Sequence, residues 1–301
     1  MYGDWILTYP GTAYRFGPPQ WPVQFVGVEV STDSYRVDDT AVPRGDGQLF
    51  GQDFVEPGEI KISVKIDFTT APYPVEECAR LAWEARTELA RVWRADAVRQ
   101  TPGLLAELTM GGVQMVEGRP RRAKFDDDHQ GVGLIFAELY FVPADPTAYT
   151  VDADGNSTWH EQTVDLVPPI SGGLVAPLVA PLSTMYDSDR SRPFVVGGTA
   201  PAWPIIRVKG PINAGAQVDL VSRWTVRLTR ALAYDETAEI DCRPGRQASR
   251  LNGQGRNVLA PDTDFSRLSM TPGPQELTLR GTSMEGTASV TVRWRETRGA
   301  I

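Results

Sequence analysis

The sequence predicts a mainly β chain of two domains: an α+β first domain with one long helix, then an antiparallel β-sandwich or jelly roll. Three observations carry this reading. Ile60, Ile62, Val64, Ile66 and Phe68 alternate with Lys61, Ser63, Lys65 and Asp67; the period changes to a helical one between Val75 and Arg94; and beyond Pro201 only short alternating runs and turn residues follow. At 301 residues the chain exceeds the usual single-domain size, so two hydrophobic cores are expected. The expected boundaries are a first domain over 1–148, a hairpin and Pro/Gly-rich interdomain arm over 149–194, and a sandwich over 195–301.

The elements follow in chain order. Residues 60–68 read as a half-buried strand, because alternate side chains of an extended chain point to opposite faces. Before it, Val42-Pro43-Arg44-Gly45-Asp46-Gly47 and Gly51 form a glycine-dense loop; a phosphate cradle is the competing reading, but no Gly-Lys-Ser/Thr follows and no helix starts there. From Val75 to about Arg94, Cys78, Ala82, Ala85, Leu89 and Val92 recur at three and four residues and line one helix face. Glu76 with Arg80, and Arg80 with Glu84, are spaced to pair on its exposed side. Trp83 and Trp93 flank the stripe as core or interface aromatics.

Leu105 to Val116 reads as a hairpin turning at Gly111-Gly112. Gly118-Arg119-Pro120-Arg121-Arg122-Ala123-Lys124 carries four cations in seven residues. Two accounts stay open: a solvated edge strand or loop, and a basic stripe meeting an acidic neighbouring subunit. Asp126-Asp127-Asp128-His129 reads as a turn tip, since consecutive acids in a strand alternate faces and do not converge on one metal. Gly133 to Val142 is a strand with Ile135, Ala137, Leu139 and Phe141 on one face. Asp152-Ala153-Asp154-Gly155-Asn156 reads as a turn and not a calcium loop, its glycine coming one place early with Thr163 where an acidic ligand belongs. Val167 to Pro181, with Pro168, Pro169, Pro177, Pro181 and Gly172-Gly173, reads as an extended arm. Strands are then expected at 205–208, 224–228, 238–242, 276–279 and 288–294.

The formal charge of -8 argues against a general nucleic-acid coat. The two cysteines, Cys78 and Cys242, fall in different expected domains and read as buried thiols. Met1 to Trp5 holds an acid and no basic run, and no apolar stretch nears the ~18 residues a membrane span needs, so neither a signal peptide nor a membrane anchor is expected.

No Gly-x-Ser-x-Gly elbow, His-Glu-x-x-His, phosphate-binding loop or Cys-x-x-Cys pair occurs, and only His129 and His160 are available as imidazoles. No catalytic, cofactor-binding or metal-binding residue is singled out.

The second half has an ordered set of turns and strands: Pro204-Ile205-Ile206-Arg207-Val208-Lys209-Gly210-Pro211, a strand near Trp224, Glu239-Ile240-Asp241, Leu251-Asn252-Gly253, Thr271-Pro272-Gly273, and a last strand ending at Trp294-Arg295. This succession resembles the C-terminal domain of the distal tail proteins of long-tailed phages of the siphovirus type, called minor tail proteins in phages of actinobacteria. The first half resembles the ring-forming domain of that family through Arg44-Gly45-Asp46-Gly47 with Gly51, a lone helix, Gly118-Arg119-Pro120-Arg121-Arg122 and a strand ending at Asp145-Pro146. The resemblance covers roughly 40–146 and 195–296. One departure is that Ala214 follows Asn213 where the family commonly has proline.

The resemblance implies a ring-forming first domain and a galectin-like sandwich. It implies a homohexameric ring at the virion tail tip, made in the host cytoplasm, that joins the tail tube protein to a tail-associated hub or fibre protein. DNA would pass its lumen without specific binding; no enzyme activity and no cofactor are implied. Arg119, Arg121, Arg122 and Lys124 are the candidate subunit contacts. A competing reading is a glycan-binding adsorption module acting through the sandwich, with Trp203 and Trp224 as the sugar platform; both also fit core positions.

Overall fold

The structure, a computed structural model, describes residues 3–31, 34–166, 190–283 and 287–299. It divides into two compact units, residues 1–158 with 298–301, and residues 159–297. The division falls between Thr158 and Trp159, and not at the expected 148 and 195. Strand pairing is the reason: Trp159–Asp165, expected in an interdomain arm, pairs along its whole length with Ser289–Arg295 and so belongs to the sandwich. Residues 167–189 of that expected arm lie outside the described residues, and its end, from Ser191 on, is again a strand of the sandwich.

In the first unit the elements are β1 (Trp5–Tyr9), β2 (Thr12–Phe16), β3 (Val23–Val30), β4 (Ile60–Asp67), α1 (Val75–Arg94), α2 (Asp96–Gln100), β5 (Ala106–Met110), β6 (Gln114–Asp126), β7 (Leu134–Pro143) and β8 (Ala148–Thr150). The main sheet is antiparallel in the order β2-β1-β5-β6-β7-β4-β3, with β8 beside the start of β6. It curls so that its ends approach: Gly17 bridges Gln24, and Trp5 stacks on Phe25 with ring centroids 4.9 Å apart. The expected alternation in β4 holds residue by residue, with Ile60, Ile62, Val64 and Ile66 buried. Ile135, Ala137, Leu139 and Phe141 of β7 are buried on the same side.

Against that face lies α1. Cys78, Ala82, Leu89, Val92 and Trp93 are its buried residues, which places Trp93 in the core and leaves Trp83 exposed. Burying Leu89 completely contributes roughly 1.5–3 kcal/mol. Glu76 and Glu77 in the first turn and Arg91 and Arg94 in the last suit the helix dipole. Arg80 pairs with Glu77 and Glu84, so the expected Glu76 partner is replaced by its neighbour one position on. The helix stops at Ala95, whose left-handed φ of 46° turns the chain into the short α2.

Gly111 and Gly112, at φ 59° and 69°, form the expected left-handed turn, closed by the Val113 N–H donating to the Met110 carbonyl. The ladder, however, opens with Gln114 opposite Met110, so Val113 is an extra, exposed residue and the loop is one longer than expected. Asp152 anchors the expected turn by accepting from the backbone N–H groups of Asp154 and Asn156.

The second unit contains β9 (Trp159–Asp165), β10 (Ser191–Val196), β11 (Ile205–Lys209), β12 (Gln217–Leu220), β13 (Trp224–Arg227), β14 (Thr237–Asp241), β15 (Ala248–Leu251), β16 (Gly273–Arg280) and β17 (Ser289–Arg295). One antiparallel sheet runs β9-β17-β11-β14-β15 and continues to Gln254–Gly255; the other runs β10-β16-β12-β13. Their inner faces share one core, in which Ile206, Val208, Ile240, Val290 and Val292 of the first sheet meet Val218, Leu220, Val226, Leu277 and Leu279 of the second. Two sheets around a common apolar layer make a sandwich. The chain as a whole is mainly β with one long helix.

Candidate functional site

Among the described residues no group of three or more His, Cys, Asp or Glu side chains could hold a metal. Asp126 is the last residue of β6, Asp128 and His129 lie in the turn after it, and Asp127 is committed to Arg86 by two hydrogen bonds of 3.0 Å. Cys78 and Cys242 are both buried free thiols. Two surfaces stand out among the described residues, a cationic strand and an apolar arm.

The cationic run is neither a loop nor the edge of the sheet, which corrects one of the two accounts open for it. It lies within β6, between β5 and β7 in the sheet order. The register on β7 slips between Pro120 and Ala123. A proline supplies no ladder N–H, and the extra residue of a bulge breaks the inside-outside alternation. In consequence Arg121 and Arg122 are consecutive and both exposed. The four cations have different surroundings. Arg119 donates to the carbonyls of Leu104 (3.0 and 3.1 Å) and Thr101 (3.0 Å), fastening the loop before β5. The Arg122 guanidinium stands over the Tyr140 ring, 4.1 Å from its centroid. Lys124 is 3.7 Å from Glu138, which also binds Lys61 at 2.9 Å. Donation by Lys61, then by the Tyr140 hydroxyl at 2.8 Å, holds the Glu138 carboxyl below its usual range. Arg121 makes no hydrogen bond or ion pair among the described residues. Phe136, Glu138 and Tyr140 share the outward face of β7, and Val26, Ser63, Lys124, Phe136 and Glu138 line a shallow groove there.

Between β3 and β4 the chain leaves the main sheet as an arm. Ser34–Arg36 pairs with Phe54–Glu56, and Thr40–Ala41 with Gln48–Leu49, in two small ladders separate from the main sheet. The expected glycine-dense loop is its tip, with Arg44 at φ 61° and Gly47 at φ 111°. Tyr35, Val37, Leu49, Phe50, Phe54 and Val55 are exposed, Phe50 at 84%. Sequence reading passed over these residues because they lack the alternation or helical spacing that marks a buried face. The available signal was a set of large apolar residues scattered among Asp and Gly.

The competing sugar-platform reading needs Trp203 and Trp224 exposed. Trp224 is 7% exposed and donates its indole N–H to the Ser269 carbonyl at 3.0 Å, and Trp203 is half-buried against the same core. Strand position explains this, since Trp224 opens β13 on the side that faces the opposite sheet.

No family model matches the chain, and no curated protein matches it. Among solved structures the fold is similar to that of a phage hub protein. The Dit protein of phage SPP1, described as a paradigm of the hub adsorption apparatus in phages infecting Gram-positive bacteria, has a TM-score of 0.55 at 14% identity. That likeness covers 97% of this chain and 98% of the other. Two structures of the phage P2 baseplate in its activated conformation, with Ca and with Sr, have TM-scores of 0.44 at 12% identity, covering 96% of this chain and 97% of theirs.

Proposed function

We propose that this chain is a structural component of a phage tail tip, a ring subunit that joins the tail tube to baseplate or tail-fibre proteins. The observation that carries the proposal is the extent of the likeness to a phage hub protein, which runs through both units. A second support is the exposed apolar arm, a surface of the kind that marks protein contacts. The first unit forms the ring, with six copies as the expected number, and the sandwich meets the neighbouring tail proteins. Its role is assembly, without a catalytic step. The finer assignment, to a long-tailed phage of an actinobacterial host, rests on the order of turn motifs in the sequence.

Mass photometry of the purified chain over a wide concentration range tests this, together with gold labelling of intact virions. A closed oligomer and label confined to the tail tip are expected. A monomer at every concentration, with no label at the tip, overturns the proposal.

A further inference from the structure

We propose that the arm over residues 34–56 of one copy docks on the outward face of β6 and β7 in the first unit of a second copy, its carboxylates meeting Arg121 and Arg122. This rests on the ring reading above and names the contact that builds the ring.

The donor surface is unusual for a loop. Its ladders pair only within the arm, yet it presents Tyr35, Leu49, Phe50 and Phe54 to solvent. A partner that covers these side chains removes apolar area from water, which is the principal drive for association. The arm is also acidic, with Asp38, Asp39, Asp46, Asp53 and Glu56 against Arg36 and Arg44. Asp38, Asp46 and Asp53 have no side-chain partner among the described residues.

The acceptor surface has the complementary character. The bulge after Pro120 turns Arg121 and Arg122 outward together. Further along the same face of β7, four residues from the Tyr140 ring that Arg122 covers, Phe136 (39% exposed) and Val26 (51% exposed) provide apolar area in the groove that Lys124 also lines. In a chain of net charge -8, two adjacent guanidinia without a carboxylate partner among the described residues are a scarce positive site for an acidic arm. An anionic membrane would repel the same arm, and so fits the donor poorly.

Donor and acceptor are different patches of one unit, so the contact is heterologous. Each copy gives an arm and receives one, and a chain of such contacts ends without open patches only when it closes on itself.

Two charge-reversed variants test the contact: Arg121→Glu with Arg122→Glu on the acceptor, and Asp38→Arg, Asp46→Arg and Asp53→Arg on the donor. All five positions are exposed or half-exposed, and circular dichroism checks that each variant keeps its fold. Each alone should need about tenfold or more protein to assemble. An equimolar mixture should assemble again, because each reversed surface then finds its complement. Phe50→Ser should weaken assembly without changing charge. If the acceptor variant assembles like wild type, or the mixture fails while both variants are folded, the arm docks elsewhere and the inference is wrong while the ring reading stands. A wild-type chain that stays monomeric at every concentration overturns the ring reading itself, and this inference with it.

Discussion

Arg86 donates two hydrogen bonds of 3.0 Å to Asp127 and thereby pins the long helix α1 to the turn that ends β6. The guanidinium also lies against two aromatic rings, 4.6 Å from the Trp83 centroid and 4.5 Å from that of Phe125. A lysine ammonium reproduces neither the planar fork nor the stacking. Arg86→Lys is therefore expected to destabilise the chain by about 1 kcal/mol and Arg86→Ala by about 1–2 kcal/mol in urea unfolding. A double-mutant cycle with Asp127→Ala should return a favourable coupling; a coupling near zero would show that the pair is only a surface contact.

Gly118 and Gly111 separate two reasons for glycine. A Cβ at Gly118 would lie 2.3 Å from the Val142 carbonyl oxygen and 2.7 Å from the Pro143 Cα, both backbone atoms that cannot swing aside. Gly111 has open space around its missing Cβ but a φ of 59°. Gly118→Ala should cost about 3 kcal/mol or more, through displacement of β6 from β7. Gly111→Ala should cost only the left-handed penalty, about 1–2 kcal/mol. Thermal unfolding of the two variants side by side checks the order, and equal losses would refute it.

Asp67 links stability to acid. Its carboxyl is held below the usual aspartate range first by the Lys65 ammonium, 2.9 Å away, and then by the Thr69 hydroxyl at 2.7 Å, while burial works against both. A depressed folded pKa stabilises the native state above the unfolded value, near ~3.9, and that contribution is lost as the pH falls through the folded value. Asp67→Asn removes the contribution. Wild type should thus exceed the variant at neutral pH by an amount that shrinks once the pH drops below about 4. A difference that stays level from pH 7 to pH 2 would exclude the linkage.

Neither thiol should react in the native protein. Cys78 and Cys242 are 4% and 0% exposed, and burial, aided by the neighbouring Asp241 carboxylate, raises the Cys242 thiol well above its ordinary range. Titration with a disulfide reagent at pH 8 should be silent until denaturant is added and then count both cysteines. Prompt reaction of either one without denaturant would mean that its unit opens readily.

Trp224 is expected to behave as a core residue. Trp224→Ala removes a buried indole and its hydrogen bond to Ser269, a loss of about 3–5 kcal/mol from the sandwich. Trp203, half-buried, should cost roughly half as much on the same replacement. Urea unfolding followed by fluorescence ranks the two, and the opposite order would contradict the burial pattern.

Much of this architecture was readable residue by residue. The alternation of β4, the stripe of α1, and the strands β11 and β17 appear where composition and period put them, because a half-buried element must repeat its apolar side chains at its own geometric period. The candidate site was readable only in part. Four cations at 119–124 stood out, but Arg119 is spent on the Leu104 and Thr101 carbonyls, and the outward turn of Arg121 and Arg122 depends on a register slip against β7. Pro120 hinted at an irregularity without saying whether it lay at an edge or between two strands.

Local pattern alone thus established a mainly β chain with one helix, two cores, and buried faces assignable by name. Pairing decided the rest: that Trp159–Asp165 joins Ser289–Arg295 in the sandwich, that β6 runs between β5 and β7, and that the arm over 34–56 is left with only itself to pair. The physical reason is the range of the interactions. Side-chain periodicity reports whether a residue faces water or core. Which strand supplies the next row of hydrogen bonds is settled between segments more than 100 residues apart, as for Trp159 and its partner Arg295, where no local repeat carries the information.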